Sequence, residues 1–591
     1  MSQFRRLSRL RSNDKVTVLI PLVCLAAVCH VGILIYGITR HFPNVDEAAH
    51  LPAGVSHWVF GNFDLYRVNP PLVRTVCCLL SSFRAEQHFD WTLAMCEVGR
   101  RPEFAVGTDY ISQKKLDAVT EYFIPRLVAI IFSLVAFLTL ILWSVRTLGA
   151  RSTVAIAFFW SFSPNVLAHA QTIVPDVGMV ATFCVCGYAS FHYLMRPNIF
   201  SAMFAGITLG IAALSKLTML TLFLSIPATV CLLWWMLERP SRTMKLVCID
   251  LALIWAIALT VINFGYVGEN SLVALGDYEF CSETLGGDGA RPGNPSNRFA
   301  DTFVGRLPLP LPQNYVRGID YLKWEVERKK WSFLMGEWKF GSWPHYYVMT
   351  TLFKTPEPTL IAVAFGLILF FRCWYQRKIG VEVISFVALL GIPALAAFAS
   401  VSLQGGFNHH HRYVLMIYPV MFVLAAFPAS NYIEARWPKI VTSLLCVWMV
   451  IASLSVSPHY LSYFNTISGG PKNGWKLLGF SNIDWGQDLL FVDQWIKEHP
   501  ECRPLRFELD YFGMNGEMFD LPKSNPPRLP KDSDYTEALP DQTEWWIVSV
   551  KQLYNLPDRA GLEYLQQLEP VDRIAYSFHV YKIPGHERGE D

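Results

Sequence analysis

The sequence FPNVDEAAHLPAGVSHWVFGNFDLYRVNPPL occupies residues 42–72 and follows directly after the first long apolar run of the chain. It opens with two adjacent carboxylates, Asp46 and Glu47, and closes with Asn69, two prolines and Leu72, where another apolar segment begins. Ionisable groups at the edge of a membrane helix are costly to place there, and they often mark functional sites. The stretch therefore predicts chemistry at the boundary between water and lipid.

The composition assigns the chain to the membrane class. Of its 591 residues, 52% are hydrophobic and only 17% are charged, and the mean hydropathy is +0.29. A soluble globular chain would carry about 25% charged residues. The apolar residues are gathered into runs of about 20, which is the length that spans a bilayer. The net charge of +2 provides no basic surplus, so nucleic acid is excluded as a partner.

About 11 apolar segments are expected to span the membrane as helices. They are Val16–Ile38, Tyr122–Val145, Ser152–Ala168, Ile173–Leu194, Phe200–Leu214, Leu217–Leu237, Leu246–Tyr266, Val348–Trp374, Val381–Ser402, Tyr413–Ala429 and Ile440–Val456. The segment Pro71–Phe83 is apolar but too short to span, and it carries Arg74. It is predicted to form an interfacial helix along the outer leaflet.

Positive charge beside the spans predicts the topology. Residues 1–15 form a short basic tail, which places the N-terminus in the cytoplasm. The transmembrane domain is predicted over 16–456, with outer loops at 39–121 and 267–347. From residue 457 to 591 the composition is that of a soluble domain, and short alternating segments predict a small α/β domain on the outer, periplasmic face. The predicted fold is thus mainly α and polytopic, with outer interfacial helices and a C-terminal α/β domain.

Charged and imidazole side chains recur at the predicted outer ends of the spans. They are Asp46, Glu47, Arg126, Asp176, Lys216, Lys354, His409, His410, His411 and Arg412. Each one alone has a structural explanation, since a lysine can extend its amine towards the interface and an aspartate can cap a helix. Their recurrence on one membrane face favours a single polar site.

The residue types at this face restrict the chemistry. Carboxylates can act as a general base, and arginine, lysine and histidine can bind a phosphate. The sequence shows no defensible Ser-His-Asp order and no HExxH zinc motif. Such a site suits displacement at a sugar carbon with a lipid phosphate as the leaving group. A lipid-linked donor also explains a site at membrane depth.

The motifs resemble polytopic C-type glycosyltransferases that use polyprenyl-phosphate sugars, in particular the bacterial protein O-mannosyltransferase-like and lipid A aminoarabinose transferase groups. The resemblance begins with DE after the first span and NPPL at the interfacial helix. It continues, in chain order, with HAQTIVPDVGMVATF (169–183), SKLT (215–218), WPHYYVMTTLFKTPEP (343–358), NHHHRYVLMIYP (408–419) and SNIDWGQDLL (481–490). It therefore covers nearly the whole chain.

The resemblance implies roles for individual residues. Asp46 would be the catalytic carboxylate at the reacting centre, with Glu47 as its catalytic neighbour. Asp176 would hold the acceptor or a divalent cation, and Arg412 would bind the lipid phosphate together with one of the lysines. The full set of substrate-binding candidates is Asp176, Arg74, Lys216, Lys354, His411 and Arg412. The sequence defines no cofactor; if a divalent cation takes part, Glu47 and Asp176 are its candidate ligands.

The predicted function is transfer of a sugar from a polyprenyl-phosphate donor to a protein, lipid or glycan acceptor, with inversion, on the outer face of a bacterial inner membrane. One alternative is a transporter or flippase of lipid-linked sugars. Transporters, however, tend to show internal repeats and interrupted helices near the midplane, and the sequence contains no internal repeat. The other alternative is a non-catalytic protein of envelope glycan assembly, with the C-terminal domain as its functional part.

Overall fold

The structure is a computed structural model, and it describes residues 14–85, 89–95, 101–236, 244–509, 516–522, 524–554, 556–557 and 559–585. Nearly all of the predicted basic tail, residues 1–13, lies outside the described residues. The described part is mainly helical and carries two small β-sheets. The predicted fold class is therefore confirmed.

The helices are numbered here in chain order. They are α1 Asp14–Arg40, α2 Val45–Val59, α3 Leu72–Ala85, α4 Pro102–Lys114, α5 Ala118–Thr147, α6 Ala150–Ser161, α7 Pro164–Ala170, α8 Pro175–Met195, α9 Ile199–Ala213, α10 Leu222–Met236, α11 Met244–Gly265, α12 Glu283–Gly286, α13 Gln313–Glu327, α14 Tyr346–Lys354, α15 Glu357–Tyr375, α16 Val381–Ser402, α17 Tyr418–Ala426, α18 Trp437–Leu454 and α19 Leu489–Glu498. The strands are β1 Trp331–Leu334, β2 Glu337–Phe340, β3 Leu505–Glu508, β4 Glu544–Ser549, β5 Asp572–Ile574 and β6 Phe578–Ile583.

Nine helical segments in the described part of the chain are long and apolar enough to cross a membrane. They are Leu19–Arg40, Pro102–Thr147, Pro175–Met195, Leu217–Met236, Lys245–Gly265, Glu357–Tyr375, Val381–Ser402, His411–Ala429 and Trp437–Leu454. Each contains or overlaps a predicted span. The number is smaller than the predicted one because two predicted segments do not form helices of spanning length.

The first of these two is Ser152–Ala168, which is interrupted at Pro164. Proline has no N–H for the helical hydrogen bond and disfavours helical backbone in the residue before it. Accordingly, Ser163 is extended, with ψ of 117°, and the segment forms the short helices α6 and α7. The second is Phe200–Leu214, which forms α9. This helix has 15 residues, and at 1.5 Å per residue it measures about 22 Å, shorter than the hydrocarbon core.

Proline also divides the predicted span Val348–Trp374. Helix α14 ends at Lys354, Thr355 is extended with ψ of 129°, and α15 begins after Pro356. The spanning helix is therefore α15, and Lys354 lies in a separate short helix before it.

Helices α2, α3 and α4 form a layer beside the spanning helices. Helix α3 matches the predicted interfacial helix Pro71–Phe83 in position and length. Helices α2 and α4 cross closely at Gly107, where an added Cβ would lie 1.8 Å from the carbonyl oxygen of Ala48. Only glycine permits this approach, which brings the start of α4 towards the residues after Asp46.

The loop over 267–347 is folded in its described form. It contains the amphipathic helix α13 and the antiparallel hairpin β1–β2, in which Trp331 pairs with Phe340 and Leu334 with Glu337. Ser332 Oγ donates to Gly341 O and accepts from Asn408 N, so the hairpin is tied to the residues before Arg412.

The C-terminal region contains a four-stranded sheet in the order β3–β4–β6–β5. Strand β3 is parallel to β4, with Leu505 opposite Trp545, and the other pairs are antiparallel. Strands β5 and β6 form an antiparallel hairpin, in which Asp572 lies opposite Val580. Buried residues of α19 and the sheet join Phe42, Ala48 and Ala49 in one hydrophobic cluster. This packing holds the C-terminal region against the segment that carries Asp46.

Candidate active site

The first turn of α2 separates the two adjacent carboxylates. Asn44 is the N-cap, and its Oδ1 accepts hydrogen bonds from the backbone N–H of Asp46 and of Glu47, both at 3.1 Å. The Glu47 carboxylate returns to accept from Asn44 N at 3.0 Å, which completes a capping box. Because consecutive helical residues lie about 100° apart around the axis, Asp46 and Glu47 face different surroundings.

Glu47 faces the protein scaffold. Its carboxylate is fully buried and forms a two-point ion pair with Arg126, with Nε to Oε1 at 2.9 Å and Nη2 to Oε2 at 2.5 Å. Oε1 also accepts from Ile173 N at 3.1 Å. Arg126 donates in addition to the carbonyl oxygens of His41 and Phe42. Both oxygens of Glu47 are thus engaged in holding three chain segments together.

Asp46 faces a cluster of opposite charges. Its Oδ2 accepts from Arg412 Nη2 at 2.7 Å, and its side chain is 23% exposed. Arg412 Nε lies 3.6 Å from Asp176 Oδ2, and Lys216 Nζ donates to Asp176 Oδ1 at 2.6 Å. Two carboxylates and two cations therefore alternate in one chain of contacts, although the four residues lie far apart in sequence.

Neighbouring groups fix the Arg412 guanidinium. Its Nη1 donates to Ser481 Oγ at 2.8 Å, and its plane lies over the Trp485 ring at 4.0 Å from the ring centre. Asp176 Oδ2 is buried and has no hydrogen-bond donor among the described residues. The cluster is thus preorganised, and it retains an unfilled acceptor beside Arg412.

Arg74 lies in an adjoining basic pocket. Its Nη2 donates to Tyr66 O at 2.6 Å, and its guanidinium stands 4.8 Å from the centre of the Tyr66 ring. Its Nη1 is buried and has no acceptor in the described part of the chain. Arg101 covers the same ring at 5.2 Å, while it also pairs with Glu103 and Glu325. Two guanidinium groups therefore converge on one aromatic residue.

His50 lies between this pocket and the carboxylate cluster. Its ring is buried and lies tilted against the Tyr66 ring, with 4.8 Å between ring centres. Neither ring nitrogen has a partner among the described residues. Burial first, and then the positive charges of Arg74, Arg101, Arg412 and Lys216, hold the pKa of His50 well below its usual range. The neutral imidazole and the cations around it form a site suited to an anion.

The structure does not bring Lys354 and His411 into the carboxylate cluster. Lys354 Nζ donates to Leu461 O at 2.6 Å and to Asn482 O at 2.7 Å. The His411 ring nitrogens lie 3.0 Å from Thr350 Oγ1 and 2.9 Å from Tyr418 OH. Both side chains are buried and tie α14 to the segments that follow the spans.

His50, Tyr66 and Arg101 were not among the residues singled out from the sequence. The spacing could have identified His50, because residues four apart share a helix face and His50 follows Asp46 by four. Arg101 had no such signal, since it lies outside α2 and reaches Tyr66 through the close crossing at Gly107.

The two predicted metal candidates, Glu47 and Asp176, do not meet in a metal-binding arrangement. Both oxygens of Glu47 accept from Arg126, Asn44 and Ile173, and Asp176 is paired with Lys216. Within the described ranges, the one group of His, Cys, Asp or Glu side chains with metal-ligand spacing is His41, His459 and Asp488.

Taken together, the fold and the site define a polytopic membrane protein with a buried carboxylate–arginine cluster beside a basic pocket. Residues 98–275 match the family model described as dolichyl-phosphate-mannose-protein mannosyltransferase. This segment includes Arg101, Arg126, Asp176 and Lys216, and it is under a third of the chain. The predicted resemblance to this group of membrane glycosyltransferases is confirmed by the match.

Two solved structures are similar over most of their length. They are ArnT from Cupriavidus metallidurans in the apo state and the same protein bound to undecaprenyl phosphate. In each case the identity is 12%, the match covers 96% of this chain and 98% of the other, and the TM-score is 0.41. At these values neither structure bears on the role of an individual residue. No curated protein matches the chain in sequence.

Proposed function

We propose that the protein is a membrane glycosyltransferase that moves a sugar from a polyprenyl-phosphate donor to a hydroxyl acceptor, with Asp46 as the general base. The observation that carries the proposal is the Asp46–Arg412–Asp176–Lys216 cluster next to a basic pocket. The match of residues 98–275 to a mannosyltransferase family supports the reaction class. It also makes a mannosyl donor the first to test.

Asp46 suits the role of base because it is the most accessible carboxylate of the cluster. Arg412 binds Oδ2, and the hydrogen bonds of the described residues leave Oδ1 without a donor. In the proposed step the acceptor hydroxyl gives its proton to Asp46 Oδ1 as its oxygen bonds to the anomeric carbon. The bond from that carbon to the phosphate oxygen breaks, and the polyprenyl phosphate leaves with the electron pair. Direct displacement inverts the anomeric centre.

The basic pocket suits the leaving phosphate. Arg74 Nη1 is buried and has no acceptor among the described residues, and Arg101 and the neutral His50 lie beside it. Negative charge grows on the phosphate as the bond breaks, and preorganised cations in a water-poor site stabilise that charge strongly. Lys216 and Asp176 would then serve mainly to position Arg412 between the two centres.

The proposed site acts on the outer face of a bacterial inner membrane. The support is the basic tail at residues 1–15, which predicts a cytoplasmic N-terminus and therefore an outer position for the segment after the first span. The acceptor is a protein, lipid or glycan hydroxyl of the envelope. The C-terminal sheet region packs against the segment that carries Asp46, so it is well placed to receive an acceptor.

The test is transfer of labelled sugar from a panel of polyprenyl-phosphate sugars, mannose first, to envelope extract. Asp46→Asn is compared with the natural sequence and with the control Asp64→Asn, which alters a surface ion pair to Arg67. We expect Asp46→Asn to lower transfer by about 10²–10⁴-fold and the control to keep it. If Asp46→Asn transfers sugar as fast as the natural sequence, Asp46 is not the base and Asp176 becomes the next candidate. Absence of transfer from every donor, with the protein folded and the extract active towards another transferase, would favour a lipid-sugar transporter.

A further inference from the structure

A second cluster of ionisable side chains lies on the opposite side of the Asp46 segment. His41 follows the last residue of α1, His459 follows the last spanning helix, and Asp488 is the N-cap of α19. The side chains of His41 and Asp488 are almost fully buried, with exposures of 5% and 0%, and that of His459 is 15% exposed. The three residues belong to three regions that nothing in the local sequence connects.

The distances suit one metal ion. His459 Nδ1 lies 3.2 Å and His41 Nε2 lies 3.7 Å from the same carboxylate oxygen, Asp488 Oδ1. The three ligand atoms lie within 4.8 Å of one another. Around a tetrahedral zinc ion with bonds of 2.0–2.1 Å, ligand atoms are separated by about 3.3 Å. Small side-chain adjustments would therefore close the three atoms around one ion.

Apart from its contact with His459, Asp488 Oδ1 accepts no hydrogen bond from the described residues. Its other oxygen, Oδ2, accepts from Ser577 Oγ at 2.6 Å and from Gln487 Nε2 at 2.5 Å. Partners of this kind orient a metal-binding carboxylate. The Phe491 ring packs against both imidazoles, with centres 4.6 Å from His459 and 6.1 Å from His41. The ligand atoms are thus held in place by groups that do not themselves compete for the ion.

A simple ion pair does not explain why the His41 ring is buried in this cluster. A hydrogen bond between His459 and Asp488 accounts for those two residues. The buried His41 ring, in contrast, makes no hydrogen bond of ordinary length through either nitrogen among the described residues, and the Gln171 side chain lies beside it. An unsatisfied buried polar group is costly. A metal bond to one nitrogen would satisfy this ring.

We propose that His41, His459 and Asp488 bind a Zn²⁺ ion that stabilises the fold. Two imidazoles and one carboxylate are a ligand set typical of zinc, and a water molecule would complete four-fold coordination. His459 also lines a cleft of about 510 Å³ with Lys472, Asp572, Arg573 and Tyr576. This cleft gives the ion and its water access from solvent.

The ion would connect α1 to the C-terminal region next to the catalytic segment. Phe42 N donates to Gln487 O at 2.8 Å, and Val45 N donates to Trp485 O at 3.0 Å. These bonds join the residues before Asp46 to those before Asp488. Trp485 in turn lies under Arg412. A zinc ion next to these two backbone hydrogen bonds would stabilise the position of Asp46. The ion itself would lie outside the reacting centre.

The experiment measures bound metal and thermal unfolding, so it does not depend on sugar transfer. The full chain, carrying an affinity tag without histidine, is purified in detergent, treated with EDTA, loaded with Zn²⁺ and separated from free metal. Metal is counted by mass spectrometry, and unfolding is followed with and without EDTA. We expect one zinc per chain and a fall in the unfolding temperature when EDTA removes it.

Variants locate the ion. His41→Gln and Asp488→Asn should lose the zinc and become insensitive to EDTA. His499→Gln should keep both properties, because the His499 ring bonds Trp495 O and stacks on the Trp495 ring in the same region, away from the proposed ligands. Since Asp488→Asn also disturbs Ser577 and Gln487, His41→Gln is the decisive variant. Among the described residues, its imidazole has only the neighbouring Gln171 side chain to lose besides the ion. Zinc content unchanged in His41→Gln, or no zinc retained by the natural sequence, would overturn the proposal and leave a hydrogen-bonded His459–Asp488 pair.

Discussion

Asp46 and Glu47 are neighbours in sequence, yet they lie in two different regions of the molecule. Asp46 is 23% exposed and binds one cation, Arg412, through a single oxygen. Glu47 is fully buried, and both its oxygens are occupied by Arg126, Asn44 and Ile173. The difference shows that a carboxylate at a membrane boundary can serve chemistry or architecture. Its partners distinguish the two roles.

The same division applies to the cations. Arg126 donates to Glu47 and to two backbone carbonyls, whereas one buried N–H₂ group of Arg74 has no acceptor in the part of the chain that the structure describes. A side chain whose hydrogen bonds are all made within the protein stabilises the fold. A buried side chain with an unused hydrogen-bond donor can bind a ligand. The following predictions test this division.

Breaking the Glu47–Arg126 pair should have the largest effect on stability. Removal of one partner leaves a buried charge without compensation, which costs about 3–5 kcal/mol. Arg126→Met and Glu47→Leu should each lower the free energy of unfolding in detergent by about this amount. The double variant should lose less free energy of unfolding than the two single variants lose in sum. Additive losses would mean that the two side chains act independently.

Asp484 extends the comparison to a buried carboxylate whose hydrogen bonds are all to neutral groups, with donors from Ser549 Oγ and Gly486 N. Burial raises the pKa of Asp484 to about 7, against the opposing effect of the Ser549 hydroxyl. The folded pKa lies above the unfolded one, so its contribution to stability is complete below about pH 4 and is lost as the pH rises through about 7. At about 1.4 kcal/mol for each unit of pKa difference, the contribution is about 4 kcal/mol.

Unfolding free energy measured from pH 4 to 8 should therefore fall more for the natural sequence than for Asp484→Asn. The control variant Asp493→Asn should follow the natural sequence, since the partly buried Asp493 pairs among the described residues with Lys497, whose side chain is largely exposed. Parallel curves for Asp484→Asn and the natural sequence would show that Asp484 titrates as an ordinary carboxyl.

A smaller effect is expected at Lys216. The Lys216 ammonium donates to Asp176 Oδ1. When this ammonium is removed, Arg412 still lies 3.6 Å from Asp176 Oδ2. Lys216→Met should lower the free energy of unfolding by about 1.5–3 kcal/mol, the worth of a hydrogen bond to a charged group. Lys216→Arg should recover most of it. If the methionine variant is as stable as the natural sequence, Arg412 alone balances Asp176.

Most of the fold can be predicted from the sequence, because each spanning helix corresponds to a long apolar run of residues. The breaks at Pro164 and Pro356 could also have been foreseen, since proline ends helices; the apolar composition around them concealed the effect. The convergence of Asp46, Asp176, Lys216 and Arg412 follows from placing their spans side by side. The direction of the Glu47 side chain cannot be predicted in this way, because it depends on Arg126 and Ile173, which lie in other parts of the chain.

The cluster of His41, His459 and Asp488 had no signal in the sequence. Metal motifs are recognised by short, regular spacing between ligands, and here more than 400 residues separate the first ligand from the second. The polar residues near the C-terminal end of the chain suggest only a soluble domain. The packing of α19 against the Asp46 segment creates the cluster, and only the tertiary structure contains that information.

The most direct test of the central claim compares Asp46→Asn and Glu47→Gln side by side in one detergent. For each variant, the transfer rate per folded molecule and the free energy of unfolding are measured together. We predict that Asp46→Asn loses transfer and keeps its stability, whereas Glu47→Gln loses stability and its folded fraction keeps transfer. Full transfer by Asp46→Asn, or loss of transfer by folded Glu47→Gln with unchanged stability, would contradict the account.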